Sequence, residues 1–159
     1  MTAYKLEIFA DYNQVYLHDE SAEADFADSW DDKAYKNMAA VIDGAIGVAT
    51  ARNMDVPVEV LICESEQPLD IEAWEHAVSC GVELCSGVLV VRGPSDYLPD
   101  AKRINVKPGY YAAHILYKGL NTLSEDGLEG GDYYRIVLWL SATTVELKLL
   151  KDSGFNGQS

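Results

Sequence analysis

The chain has 159 residues, 48% of them hydrophobic and 24% charged, which is long and apolar enough for one buried core. Its 26 acids against 12 Lys and Arg leave a formal charge of −14, a field that repels nucleic acid, draws in a basic protein, and otherwise serves solubility. No basic segment followed by a long apolar one opens the chain and no apolar run approaches the roughly 20 residues of a bilayer span, so a cytoplasmic protein with no membrane span is expected.

Two strands come first, YKLEIFA (4–10) and NQVYLHD (13–19), with Leu6 and Ile8, then Val15 and Leu17, at the period of two that a half-buried strand requires. The stretch 19–32, DESAEADFADSWDD, holds seven carboxylates in fourteen positions and no base. Its end reads as a helix start, with Ser29 as cap and Asp32 reaching back, and apolar residues at helical spacing predict one short helix near residues 30–42. Asp43–Gly44 turns the chain. AIGVATA (45–51) and VPVEVLICE (56–64) follow as strands, and WEHAVSCGVEL (74–84) alternates most strictly, with Trp74, His76, Val78, Cys80, Val82 and Leu84 on one face. Ser86–Gly87 leads into VLVVRG (88–93), then come AKRINV (101–106), YYAAHILYKG (110–119), the acidic loop SEDGLEGGD (124–132) and YYRIVLWLS (133–141). In Tyr110–Tyr111 and Tyr133–Tyr134 one ring should join the core and the other face out.

Eight or nine strands with a single helix predict a mainly all-β fold, a two-sheet antiparallel β-sandwich, because βαβ units need a helix between most strands. The expected organisation is one sandwich domain over residues 1–150 and a disordered tail over 151–159.

The sequence carries little recognisable chemistry. His18, His76 and His114 stand alone, and the odd set Cys63, Cys80 and Cys85 suits reduced thiols and matches no zinc spacing. No phosphate-binding glycine loop precedes a helix, and neither acidic stretch has the length and central glycine of a calcium loop. No metal or cofactor is therefore expected. Paired catalytic carboxylates or a small-ligand pocket remain an alternative, although no spacing singles out a pair.

Residues 30–62, WDDKAYKNMAAVIDGAIGVATARNMDVPVEVLI, resemble the competence-protein ComJ family, the DNA-entry nuclease inhibitors. Trp30, Asp32, Ala34 and the block from Ala39 to Asn53 carry the resemblance, with LEIFADYNQVYL, WEHAVSCGVEL, KPGYY and DYYRIV following in collinear order. The resemblance implies a non-catalytic β-sandwich that binds and inhibits a nuclease used in bacterial DNA uptake. The expected partner is thus a basic protein such as a nuclease. The expected contacts are Asp19, Glu20, Glu23, Asp25 and Asp28 in the first acidic stretch, Trp30 as an aromatic anchor, and Glu125, Asp126, Glu129 and Asp132 in the second.

Overall fold

The computed structural model describes residues 1–155, and residues 156–159 lie outside the described residues. Among the described residues eleven strands are formed: β1 (Thr2–Phe9), β2 (Gln14–Asp19), β3 (Ala39–Ile42), β4 (Ala45–Ala49), β5 (Asp55–Cys63), β6 (His76–Leu84), β7 (Val88–Arg92), β8 (Lys102–Asn105), β9 (Gly109–Lys118), β10 (Tyr133–Leu140) and β11 (Lys148–Lys151). They make a six-stranded sheet in the order β1-β5-β10-β9-β6-β11 and a five-stranded sheet in the order β3-β4-β2-β7-β8. The sandwich predicted from the alternating sequence is present.

Alternation explains the core. Val78, Cys80, Val82 and Leu84 of β6 meet Ile115, Tyr117, Ile136 and Leu138 on the inner face of the larger sheet, and Val15, Leu17, Ile46, Leu89 and Val91 oppose them from the smaller one. Of the paired tyrosines, Tyr111 and Tyr134 are buried, and Tyr110 and Tyr133 turn outward. Each buried phenol finds a partner, Tyr111 donating to the Lys107 carbonyl (2.6 Å) and Tyr134 to Asp132 (2.6 Å), so their burial carries no orphaned hydroxyl. The larger sheet is apolar on its outer face too, where Cys63, Trp74, Ala77, Leu116, Val137 and Trp139 form a second layer.

Several expectations are corrected. The sandwich is not wholly antiparallel, because β10 enters between β5 and β9 and runs parallel to β5. The helical window near 30–42 divides into α1 (Asp32–Asn37), a left-handed Met38 (φ 58°), and β3. Residues 39–42, AAVI, fit either period, and the free edge of β4 decides for strand, Ala39 pairing with Val48 and Ile42 with Ala45. The helix cap is Asp31, whose side chain accepts from the Ala34 N–H at 2.8 Å, and not Ser29. Trp74 leaves the face of β6: a 3-10 turn at Ile71–Ala73 precedes it, and its ring joins the outer layer instead of the inner core. The expected disordered tail over 151–159 is ordered as far as described: Lys151 ends β11, Ser153 bonds His76, and Phe155 packs on the core.

Candidate functional site

Residues 20–31 form a strap across the outer face of the five-stranded sheet. Ala24 and Phe26 are buried there with Ala40 and Ala45, and Tyr16, Trp30 and Ile42 pack around them. The landing place is Gly47 in the middle of β4. A Cβ there would lie 3.1 Å from both Phe26 Cε1 and Trp30 Cζ2, so a side chain would lift both rings. Phe26 packs on Tyr16 with ring centroids 4.7 Å apart, and Trp30 on Tyr35 at 5.5 Å. Ala24 takes a left-handed backbone (φ 55°) to bring this about. That conformation costs about 1–2 kcal/mol, and burying one phenylalanine returns about 1.5–3 kcal/mol, so the strap is held by its apolar underside.

The upper side of the strap is acidic. Glu23, Asp25 and Asp28 are exposed, and Asp25 steadies the turn by accepting from the Ala27 N–H at 3.0 Å. Asp31 and Asp32 continue the row into the exposed start of α1, where carboxylates also favour the helix dipole. Trp30 is half-buried, and its Nε1 is enclosed with no hydrogen-bond partner among the described residues.

Two expected contact residues are internal supports instead. Asp19 is 2% exposed: it accepts from Ser86 N (3.0 Å), Ser86 Oγ (2.6 Å) and Ser21 N (3.1 Å), and also from Ser21 Oγ. Burial pushes its carboxyl up, and these hydrogen bonds from Ser21 and Ser86 reverse the effect, leaving it below the ordinary aspartate value. It ties the end of β2 to the β6–β7 turn and has no oxygen left for a partner. Asp132, 1% exposed, binds Arg52 Nε through Oδ1 at 2.7 Å and the Tyr134 hydroxyl through Oδ2 at 2.6 Å.

The other expected residues remain on the surface. Glu20 pairs with Arg103 at 2.6 Å across a partly exposed contact, which contributes about 0–1 kcal/mol. Glu125, Asp126 and Glu129 are exposed on the β9–β10 loop, where Asp126 accepts from Ser124 Oγ (2.6 Å) and Leu128 N (3.0 Å). Arg52 Nη1 donates to the Leu128 carbonyl at 3.0 Å and fixes this loop beside the end of β4. The two acidic segments therefore start at opposite ends of the sandwich. Asp19 sits by Gly44, where its N–H meets the Gly44 carbonyl, and the 125–129 loop sits by Arg52.

The histidines serve as clamps. His18 holds the Asp19 carbonyl through Nδ1 (2.7 Å) and accepts from Arg92 Nε through Nε2 (3.0 Å). His76 donates from Nε2 to the Asn37 carbonyl (2.7 Å) and accepts at Nδ1 from Ser153 N (3.0 Å). Burial lowers the pKa of both, and of His114, whose ring lies edge-on to Trp139 at 4.8 Å. Burial also pushes the Cys80 thiol up to about 12, so it is an inert core residue. Among the described residues, no three His, Cys, Asp or Glu gather as a metal-holding group, and no helix is long and apolar enough to cross a membrane. The outer face of the larger sheet carries a depression of about 390 Å³ lined by Leu61, Trp74, Leu116, Lys118 and Arg135, with Asp70 as its one carboxylate.

Sequence reasoning missed Phe26 and Ala24 as anchors, and Arg103 as the partner of Glu20. The signal available was Phe26 itself, the one large apolar side chain in residues 19–29 and four positions before Trp30. It also missed the outer network in which Tyr133 (2.7 Å) and Arg135 (2.6 Å) both bond Glu59.

No family model matches the chain, and no curated protein matches it in sequence. Two solved structures are similar in fold. One is the crystal structure of ComJ from Bacillus subtilis, described as an inhibitor of the DNA-degrading activity of NucA. It aligns at a TM-score of 0.62 and 19% identity, over 89% of this chain and 96% of that one. The other, described as crocagin biosynthetic gene J, aligns at 0.58 and 16% identity, over 89% of this chain and 99% of that one. At these identities the finding is one of architecture: the chain shares the two-sheet β fold of ComJ over most of both molecules.

Proposed function

We propose that this chain is a non-catalytic binding protein that covers a cationic surface on a basic protein, in the manner of a nuclease inhibitor. The observation that carries the reading is the strap. Phe26 and Trp30 seat it on Gly47, so Glu23, Asp25 and Asp28 stand in fixed positions before any partner arrives. A pre-ordered loop loses less conformational entropy on binding than a flexible one, and carboxylates facing a cationic cleft compete with the phosphates that would occupy it. The net charge of −14 speeds the encounter. The shared fold with ComJ supports the same reading, since that protein inhibits a DNA-degrading partner.

In this reading Glu23, Asp25, Asp28 and the outer edge of Trp30 make the principal contact. Glu20 and the Glu125, Asp126 and Glu129 loop contribute long-range attraction. Asp19 and Asp132 hold the surface in shape and touch no partner. The test is capture of a partner from the lysate of the source cell, elution by rising salt, and identification by mass spectrometry. The purified partner is then assayed for DNA degradation with and without one equivalent of this chain. A basic protein that elutes with salt and loses activity supports the reading. An acidic or salt-resistant partner, or undiminished DNA degradation, overturns it.

A further inference from the structure

We infer that β1 is a homodimer interface, at which a second copy of this chain adds its own β1 antiparallel across a two-fold axis at Leu6. β1 is an outer strand of the larger sheet, paired among the described residues only with β5, and at eight residues it is twice as long as the edge strands β3, β8 and β11. Ala10 N donates to the Met54 carbonyl, and the β1–β5 register continues without a break, so even-numbered residues bond β5. The backbone N–H and C=O groups of Lys5 and Glu7 therefore point away from the sheet, an open template for another strand.

The side chains choose the occupant. With the axis at Leu6, Lys5 faces the partner's Glu7, and Glu7 faces the partner's Lys5, on the outer side. Tyr4 faces the partner's Ile8 on the inner side. Both charge pairs are satisfied, and all four backbone groups are bonded. Moving the axis to Lys5 sets two lysines opposite each other, and moving it to Glu7 sets two glutamates opposite, so the charges fix one register. Against a foreign strand Lys5 and Glu7 would protect the edge; against a second copy they meet each other.

Exposure agrees. Tyr4 and Leu6 are only half-buried although they point to the core, so the sandwich is open along this edge. Of the eight exposed large hydrophobic side chains among the described residues, Met1, Phe9, Tyr12, Tyr97 and Leu98 lie on β1, at its ends or in the loop beside it. A two-fold contact would cover them in an isologous interface.

Sedimentation equilibrium on the full chain tests this, at about 0.15 M salt and concentrations up to about 0.5 mM. Wild type should form a dimer. Lys5→Glu or Glu7→Lys alone sets like charges opposite in two symmetric pairs and should weaken it roughly five- to thirtyfold. The double variant Lys5→Glu/Glu7→Lys restores opposite charges and should recover most of the affinity. Lys5 also faces Glu59 across the β1–β5 ladder, so each variant is melted to confirm that it folds. As a second probe, Leu6→Cys in a Cys85→Ser background should cross-link under mild oxidant, because the axis pair is a close, non-hydrogen-bonded one. A wild type that stays monomeric, single variants that dimerise unchanged, or a folded double variant without recovery would each overturn the inference.

Discussion

Replacing Asp19 with Asn removes a charge from the inside of the acidic segment without changing its shape. One amide oxygen can still accept from Ser86, whose N–H and Oγ lie at 3.0 and 2.6 Å, but the amide nitrogen then meets the Ser21 N–H donor at 3.1 Å. A hydrogen bond to a charged group contributes about 1.5–3 kcal/mol, and a donor left unsatisfied in the interior costs about 1–3 kcal/mol. The expected loss is about 2–4 kcal/mol, or roughly 5–15 °C in Tm for a chain of this size. Thermal and urea melts followed by tryptophan fluorescence measure it, with the Glu23→Gln/Asp25→Asn/Asp28→Asn variant as control. The control should lie within about 0.5 kcal/mol per site of wild type, since those carboxylates are exposed. The acid limb adds a check. The Asp19 carboxyl is lower in the fold than in the unfolded chain, so its contribution is complete above about pH 4 and is lost as pH falls through the folded value. Asp19→Asn should flatten that limb. An Asn variant melting within a degree of wild type would refute the assignment of Asp19 as an internal support.

Three further outcomes follow from the same structure. Stability should decline as pH falls below about 6.5, because burial depresses His18, His76 and His114 in the fold, and stability held by a depressed group is lost as pH drops toward its folded value. Protonating His76 also sets an N–H against Ser153 N, so hydrogen exchange at Ser153 should rise in the same window. Asp31→Ala should cost about 1 kcal/mol through the lost cap, and Asp32→Ala about 0.3 kcal/mol through the helix dipole alone; paired urea titrations separate them. Gly47→Val should cost about 1–3 kcal/mol by overpacking and expose residues 22–30 to protease, since its side chain collides with both Phe26 and Trp30.

Legibility in the sequence followed locality. β6 could be read because successive residues of a strand face opposite sides, and Val78, Cys80, Val82 and Leu84 sit on the inner face as the alternation demands. Trp74 could not, because the alternation runs on through a bend that only the neighbouring 3-10 turn reveals. Residues 39–42 satisfied two periods at once, and pairing with β4 decided between them. Ser29 and Asp31 are both competent caps, and backbone geometry alone selects Asp31. At the candidate surface the acidic row was visible and its internal division was not. Asp19 is removed from that row by Ser86, 67 residues away, and Asp132 by Arg52, 80 residues away. The strap lacks any repeat, so its order rests on Phe26 finding a glycine in a strand that local sequence cannot assign to it.

On the proposed function, fixed and exposed carboxylates on the strap meet a basic partner. Association kinetics against the captured partner, for wild type and for Glu23→Gln/Asp25→Asn/Asp28→Asn at about 0.1 M and 1 M salt, test it most directly, since the screening length falls from about 10 Å to 3 Å between them. The association rate of the variant should be several-fold lower at low salt, with the two proteins converging at high salt while their melting temperatures stay together. Equal association rates at both salt concentrations would contradict it.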